Sequence, residues 1–187
     1  MKHLALALTA PLALATALLS TSAVATDMPT PFVPGKAIPE HGWIAPIDSD
    51  MPIPVGTKFA VSFDTSKSAE SKVNRTLDAA ARFINMHADA GVDVADMKLA
   101  VVVHGAAVFD MASDAAYARR YKKADGNPNA KMIAALREKG VEIILCGQSA
   151  AYYKVAKKDM LPGVKMALSA MTAHALLQQE GYTLNPF

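Results

Sequence analysis

Two short runs of apolar residues constrain the fold of this chain most strongly. They extend from Leu99 to Val103 and from Val141 to Leu145. The first run is wholly apolar, and Glu142 is the one polar residue of the second. Runs of this kind are typical of parallel strands that are buried on both faces of a sheet. Further strands are predicted over 58–63, 164–168 and, at the sheet edge, 182–184.

Helical segments separate these strands. Apolar residues at helical spacing from Val73 to Ala88 predict a first helix, with Ser66 or Ser68 as its N-cap. A second helix is delimited by Asn127 as its N-cap and by Gly140 at its C-terminal end. Two more helices are predicted over 150–157 and 169–180. Strands and helices in alternation predict an α/β fold: a three-layer α/β/α sandwich with an open, mainly parallel sheet of about five strands.

Residues 1–25 have the three parts of a secretory signal peptide. Lys2 and His3 give a positively charged start, residues 4–19 are almost wholly Leu and Ala, and residues 23–25 form an A-x-A cleavage site. A membrane anchor is the alternative, but the apolar stretch is shorter than the roughly 20 residues that a spanning helix needs. We therefore predict export to the periplasm, with no membrane association after cleavage of the signal peptide.

Residues 26–56 are predicted to form a proline-rich arm that precedes the α/β domain at 57–187. Seven prolines lie between positions 29 and 54, and proline disfavours both helix and central strand. The apolar side chains of Phe32, Trp43 and Ile44 predict that the arm packs on the domain or on a neighbouring subunit. A flexible tether is the alternative.

Composition excludes several classes of protein. Apolar residues make up 52% of the chain, which excludes a disordered tail protein. The net charge of +2 is too small to indicate a nucleic-acid partner. A single cysteine allows neither a disulfide framework nor a cysteine-rich zinc module within one chain. The histidines are dispersed, and no glycine-rich phosphate-binding motif is present, so we predict neither a metal site nor a resident cofactor.

The predicted fold selects the site. In an open parallel sheet, ligands bind outside the carboxyl ends of the strands, where the loops and helix N-termini meet. The first strand delivers residues 64–66 to this edge. The later strands deliver the remaining candidates, which are His104 and Cys146 as catalytic groups and Gly105, Gly147, Gln148 and Ser149 as ligand-binding groups.

Cys146 carries the most chemical information among these residues. A thiol between a buried strand and a helix N-terminus is exposed to free backbone N–H groups, which favour the thiolate and lower the pKa. His104 would add an imidazolium or carry a proton. Basic residues that follow the same strands, Arg119 and Lys154 among them, would attract a small anion. The alternative is a buried, inert cysteine that closes the strand.

The site residues resemble motifs of the DsrE/DsrF-like family. The resemblance rests on His104-Gly105, on the strand that ends in Cys146-Gly147-Gln148 and on the segment from Leu161 to Tyr182. It covers most of residues 57–187. It implies a compact α/β subunit that assembles into trimers or hexamers. In the sulfur-handling members, it also implies a cysteine that carries sulfur as a persulfide, at the position of Cys146. Those members are cytoplasmic, whereas this chain has an export signal.

Three functions are compatible with the sequence. The first is a thiol-based sulfur carrier or sulfurtransferase, whose sulfur donor and acceptor the sequence does not identify. The second is a binding module of the same fold for a small anion or a partner protein. The third is a serine hydrolase, because residues 147–151 resemble a nucleophile elbow around Ser149, with Asp159 and His174 as possible triad partners.

Overall fold

The structure is a computed structural model that describes residues 31–122 and 125–186. Its sheet has five strands in the order β4-β3-β2-β1-β5, and every neighbouring pair is parallel. The strands are β1 (Phe59–Thr65), β2 (Met97–Val103), β3 (Glu142–Cys146), β4 (Lys165–Ala167) and β5 (Thr183–Asn185). The prediction of an open parallel α/β sheet is confirmed.

Helices cover both faces of this sheet. They are α1 (Arg75–Asp89), α2 (Asp114–Tyr121), α3 (Ala130–Glu138), α4 (Gly147–Tyr152) and α5 (Ala170–Gln179). Short 3-10 turns occupy Val94–Asp96, Gly105–Met111 and Lys157–Asp159. The strand order advances in one direction from β1 to β4, so right-handed crossovers place α1, α3 and α4 on one face. The return to β5 places α5 on the opposite face.

Each face has its own apolar core. On the first face, Leu77 of α1 and Leu136 of α3 belong to a large buried cluster that includes Val101 of β2. On the second face, Ala173 and Leu177 of α5 belong to a smaller buried cluster, together with Ala100, Val102 and Ile144 of the sheet. Burial on both faces explains why β2 and β3 are uninterrupted apolar runs at their centres.

Helix α1 begins later than the sequence predicts. Its N-cap is Asn74, whose side chain accepts a hydrogen bond from the Thr76 amide, and not Ser66 or Ser68. The reason lies in the preceding loop, where Glu70 (φ 42°) and Ser71 (φ 80°) adopt left-handed backbone conformations that a right-handed helix excludes.

Two other helix boundaries also differ from the prediction. Helix α3 has Asn129 at its N-cap position, and the predicted cap Asn127 instead accepts a hydrogen bond from the Asn129 amide. The helix predicted over 150–157 is α4, which begins at Gly147 and ends at Tyr152. Lys154 has a φ of 57°, and this left-handed residue prevents continuation of the helix.

The arm packs on the domain over residues 33–44. Val33 and Ile44 form an antiparallel bridge with N···O distances of 2.8 and 2.9 Å, and Ile38 and Ile44 are each only 3% exposed. Asn85 of α1 forms hydrogen bonds with the backbone of residues 38, 41 and 42. The tether interpretation is therefore wrong for this segment.

The predicted signal peptide and residues 26–30 of the arm lie outside the described residues. Within the described ranges, no helix combines the length and apolar character required to cross a bilayer.

Candidate functional site

The sheet places three of the candidate side chains at one edge and on one face. Asp64 pairs in register with Val102 of β2. His104 lies two residues after Val102, directly beyond the end of β2. Val103 pairs with Leu145, so His104 is level with Cys146. Because side chains alternate between the faces of a strand, Asp64, His104 and Cys146 share the face that α5 covers.

Cys146 is the last residue of β3 and the N-cap of α4. Its side chain is buried, since the residue is 5% exposed, and its Sγ accepts a hydrogen bond from the Ser149 amide at 3.4 Å. Burial acts to raise the pKa of the thiol. Hydrogen bonds from the Ser149 side chain and from the backbone amides of Ser149, Ala170 and Gln148 outweigh burial, and the pKa of Cys146 lies below its ordinary value.

We expect the folded protein to be alkylated at Cys146 with a pH midpoint below that of the unfolded chain. The thiolate is the reactive form, and the amide and hydroxyl donors stabilise it. Ser149→Ala removes one of these donors and should move the midpoint upward. The measurement is the rate of reaction with iodoacetamide against pH, with the same chain in denaturant as reference. A folded-state midpoint at or above that reference would contradict the assignment.

A second cluster joins β1, the end of β2 and α5 through one carboxylate. Asp64 Oδ2 lies 3.0 Å from His104 Nε2, and Asp64 Oδ1 lies 2.8 Å from His174 Nε2. The Asp64 carboxylate oxygens accept hydrogen bonds, so the two Nε2 atoms are assigned as the donors. The His174 Nδ1 is buried and has no hydrogen-bond partner within the described residues. The His104 side chain is 34% exposed, so this histidine is the more accessible of the two.

Sequence reasoning missed the pairing of Asp64 with His174. The sequence places Asp64 at the correct sheet edge, but no motif in it connects Asp64 with His174. The available signal was the position of His174 in the helix that follows β4, because a helix at the carboxyl end of a parallel sheet must begin near the other strand ends.

Ser149 connects the ends of β2 and β3. Its Oγ accepts a hydrogen bond from the Gly105 amide at 3.0 Å, and the hydroxyl also contacts the Cys146 sulfur. Gln148 donates from Nε2 to the Leu168 carbonyl at 3.3 Å and is exposed. The predicted ligand-binding residues Gln148 and Ser149 therefore support the segment around the thiol.

The two predicted glycines have steric roles at the same edge. Gly105 has a φ of 52°, and a Cβ atom there would lie 2.6 Å from the Ser66 carbonyl oxygen. A Cβ atom on Gly147 would lie 2.7 Å from the Ala167 carbonyl oxygen. Both distances are shorter than side chains tolerate. The glycines allow the strand ends to approach closely, and this proximity creates the contacts around Cys146.

A cavity of about 330 Å³ adjoins the cluster and is lined by the loop between β1 and α1. Asp64 lies in its wall, and the exposed cations Lys67 and Arg75 line it as well. Neither cation has an ion-pair partner within the part of the chain that the structure describes. The cavity therefore combines two exposed cations with the Asp64 carboxylate that binds His104.

The basic residues that follow the site strands are partly committed elsewhere. Arg119 forms an ion pair with Asp159 at 2.9 Å. Arg120 lies over the ring of Phe109 at 4.5 Å. Lys123 lies outside the described residues. Lys67 and Arg75, by contrast, line the cavity together with Asp64.

The hydrolase arrangement is not assembled. Asp159 pairs with Arg119, and His174 is bonded through Nε2 to Asp64. Among the described residues, the other nitrogen of His174 has no hydrogen-bond partner, so Ser149 does not bond to this histidine. Within the described ranges, no group of three or more His, Cys, Asp or Glu side chains is placed to hold a metal ion.

These features define a class: an open parallel α/β domain that carries one hydrogen-bonded thiol at the carboxyl end of β3, beside a His–Asp–His cluster. The model of the DsrE/DsrF-like family matches residues 58–186, and the chain belongs to that family.

A solved structure supports the same fold. The chain is similar to the protein of unknown function MTH1491 from Methanobacterium thermoautotrophicum, with 19% sequence identity and a TM-score of 0.53. The similarity covers 70% of this chain and 100% of that one. A comparison with curated proteins finds no match.

Proposed function

We propose that this protein is a sulfane-sulfur carrier in which Cys146 holds the transferred sulfur as a persulfide. Membership of the DsrE/DsrF-like family favours a sulfur-relay type of function. The observation that carries the proposal is the environment of the Cys146 sulfur. The Ser149 amide donates a hydrogen bond to this buried sulfur at the N-terminus of α4, and the pKa of the thiol lies below its ordinary value, which favours a nucleophilic thiolate.

The proposed loading step uses a small anionic donor such as thiosulfate. The Cys146 thiolate forms a bond to the outer sulfur of the donor. The S–S bond of thiosulfate breaks, and sulfite leaves with the bonding electron pair. In the unloading step, an acceptor thiolate attacks the outer sulfur of the persulfide, and the Cys146 thiolate is the leaving group.

The surrounding residues have distinct roles in this proposal. The cations Lys67 and Arg75 attract the anionic donor to the cavity at the sheet edge. His104, which is level with Cys146 and has Nδ1 free of Asp64, exchanges the proton of the thiol or the persulfide. Low exposure of the sulfur restricts access to small donors and protects the persulfide from hydrolysis and oxidation.

The proposal includes the compartment and the assembly. The signal-peptide features of residues 1–25 support export to the periplasm, where donor and acceptor would differ from those of cytoplasmic relatives. Apolar side chains near the thiol support a homo-oligomer, as a trimer or hexamer. Tyr152, Leu168 and Met171 are between 72% and 79% exposed, and a second copy of the chain would cover them.

The test is the intact mass of the protein after incubation with thiosulfate or polysulfide. The wild-type chain should gain the mass of one sulfur atom, and dithiothreitol should remove it. Cys146→Ser should gain nothing, since the chain has no other cysteine. Ser149→Ala is the matched variant, because it retains the nucleophile and should load more slowly. If no donor forms an adduct with the folded wild type, the carrier proposal is wrong.

The second candidate is a binding module without catalysis, which the 5% exposure of Cys146 and the cation-lined cavity favour. In that case sulfite, which cannot donate sulfane sulfur, would bind wild type and Cys146→Ser with equal affinity, and the mass would not change. Calorimetry on the two proteins, combined with the mass measurement, separates the two functions.

A further inference from the structure

Residues 45–56 form an exposed segment between the docked part of the arm and β1; we call it the acidic segment. Both of its ends are fixed, because Ile44 is buried and bridged to Val33 at one end and β1 follows at the other. The apolar side chains of Ile47 and Met51 are nevertheless 76% and 83% exposed. Exposed apolar side chains that lie close together indicate a surface that another molecule covers.

The charged groups of the acidic segment also lack partners. Asp48 and Asp50 are exposed, and neither forms an ion pair within the described residues. Pro46, Pro52 and Pro54 interrupt the segment and carry no backbone N–H. Proline-rich segments bind to grooves that aromatic side chains line. A matching partner surface therefore offers both cations and aromatic rings.

A cleft of about 230 Å³ on the same chain has both properties; we call it the basic cleft. Arg119, Arg120 and Lys154 line it, together with Phe109 and Tyr153. The two aromatic rings meet edge to face, with their centroids 5.3 Å apart. Arg120 and Lys154 are exposed and form no ion pair in the part of the chain that the structure describes.

Further cations surround the basic cleft. Lys122 comes two residues after Arg120, and Lys157 and Lys158 directly precede Asp159; all three lysines are exposed. The carboxylate of Asp159 lies in the wall of the cleft, where Arg119 neutralises it at 2.9 Å. The remaining charge is positive, so the cleft attracts the carboxylates of another molecule.

The acidic segment and the basic cleft lie at opposite ends of the sheet. The segment shares one cavity with Met86 and Asp89, at the end of α1, and another with Ala90 and Val92, which lead to the amino end of β2. The cleft includes Phe109, which lies in the turn beyond the carboxyl end of β2. β2 has seven residues, and at about 3.3 Å per residue its ends lie about 20 Å apart. A segment that is fixed at both ends therefore does not reach the cleft of its own chain.

We propose that the acidic segment of one copy of this chain docks in the basic cleft of a second copy. In this contact Asp48 and Asp50 pair with Arg120 and Lys154, and the prolines pack on the aromatic rings. Because two different surfaces meet, the contact closes as a reciprocal pair or as a ring of copies. The inference rests on the homo-oligomer of the proposed function and names the surfaces that join its subunits, but it does not depend on persulfide chemistry.

The test is sedimentation equilibrium of the mature chain with charge reversals on each surface. The segment variant combines Asp48→Lys with Asp50→Lys, and the cleft variant combines Arg120→Glu with Lys154→Glu. Each variant alone should raise the dissociation constant of self-association at least about tenfold, because like charges then meet across the contact. An equimolar mixture of the two variants should restore association, since the reversed charges of one match those of the other.

Glu138→Lys and Lys131→Glu reverse exposed charges on α3 and are the matched controls, which should leave association unchanged. A fluorescein-labelled peptide of residues 45–56 provides a second measurement by fluorescence anisotropy. It should bind the segment variant, whose basic cleft is intact and unoccupied, and it should not bind the cleft variant. Far-UV circular dichroism identifies the variants that retain the fold. If the cleft variant does not fold, the segment variant and the peptide still decide the question.

Three results would overturn the proposal. The first is a wild type that stays monomeric and a segment variant that binds no peptide. The second is an oligomer that both charge variants leave intact, which would assign assembly to other surfaces such as that of Tyr152, Leu168 and Met171. The third is a monomeric wild type that binds phosphatidylglycerol vesicles while the cleft variant does not, which would assign the cleft to an anionic lipid surface.

The association result is separable from the sulfur-loading result. If mixing the two variants restores association and the wild type gains no sulfur, the docking contact stands in a protein that is not a carrier. If the wild type loads sulfur and neither charge reversal changes its assembly, the carrier function stands and the docking contact is wrong.

Discussion

Replacement of Asn85 by alanine is expected to release residues 33–44 from the domain and to reduce the free energy of unfolding by about 2 to 4 kcal/mol. Asn85 is fully buried in α1. Its Oδ1 accepts from the Ile38 amide at 2.8 Å, and its Nδ2 donates to the carbonyls of Ile38, His41 and Gly42 at 2.8 to 3.0 Å. Alanine removes the partner of the Ile38 amide and of the His41 and Gly42 carbonyls, whereas the Ile38 carbonyl still accepts from the His41 amide, and each unsatisfied group is unfavourable.

Release of the arm sets an upper limit on the decrease in the free energy of unfolding that Asn85→Ala can cause. Once the arm has separated, its backbone groups bond to water, so the total cost cannot exceed the free energy with which the arm is docked. Trp43 lies within the arm, its carbonyl accepts from Arg82 Nε at 2.9 Å, and it is the single tryptophan of the chain. Its fluorescence therefore reports docking directly.

The measurement is urea denaturation followed by Trp43 fluorescence and, separately, by far-UV circular dichroism. In Asn85→Ala the fluorescence should show a solvent-exposed tryptophan at low urea, while the helical signal persists. Gln179→Ala removes an exposed amide from α5 and is the matched control. Identical fluorescence and unfolding midpoints for Asn85→Ala and wild type would show that the arm does not depend on this residue.

Asp110→Ala is the second substitution with a large expected effect, a loss of about 3 kcal/mol in the free energy of unfolding. Asp110 is fully buried beneath the loop between β1 and α1. It accepts hydrogen bonds from Ser68 Oγ at 2.8 Å, the Ala69 amide at 3.0 Å and Asn74 Nδ2 at 2.8 Å. These bonds hold the loop that lines the cavity, so the substitution should also weaken anion binding there.

The contribution of Asp110 to stability depends on pH, and the sign of this dependence follows from the direction in which the pKa of Asp110 is shifted. Burial raises the pKa of Asp110, and the hydrogen bonds from Asn74, Ala69 and Ser68 oppose the increase without cancelling it. The folded state therefore binds the Asp110 proton at higher pH than the unfolded state does. Stability from this group is present at low pH and is lost as pH rises from the unfolded value of about 3.9 through the folded one.

Asp110→Asn isolates the contribution that Asp110 ionisation makes to the free energy of unfolding, because an amide does not titrate. The difference in the free energy of unfolding between wild type and Asp110→Asn should decrease as pH rises above about 4, and it should level off once Asp110 is ionised in both states. Urea denaturation of both proteins at a series of pH values measures it. A difference that grows with pH would mean that hydrogen bonding to the carboxylate outweighs its burial.

The agreement between sequence and structure is greatest where the signal is local. The apolar runs at 99–103 and 141–145 correspond to β2 and β3, and Cys146 lies at the strand end where the run stops. The helix predicted over 169–180 is α5, with Ser169 as its N-cap. Each of these features depends on side chains within a few residues of one another.

The structure differs from the sequence prediction where contacts between residues far apart in the chain determine the conformation. The loop before α1 is held by Asp110, which lies 36 residues from the true N-cap Asn74, so the preference of Ser66 or Ser68 for an N-cap position has no effect there. Likewise, the packing of the arm depends on Asn85, 47 residues from Ile38. Local propensity contains no information about such pairs.

By itself, the sequence determined the five strands, the helices α1, α3, α4 and α5, and the sheet edge at which the thiol lies, because apolar periodicity and strand direction act along the chain. Only the tertiary structure decided that Asp64 binds both His104 and His174, which lie 40 and 110 residues away. The reason is the strand order: β5 returns to the far side of β1, and this return carries α5 across the open face of the sheet to the carboxyl ends of β1, β2 and β3.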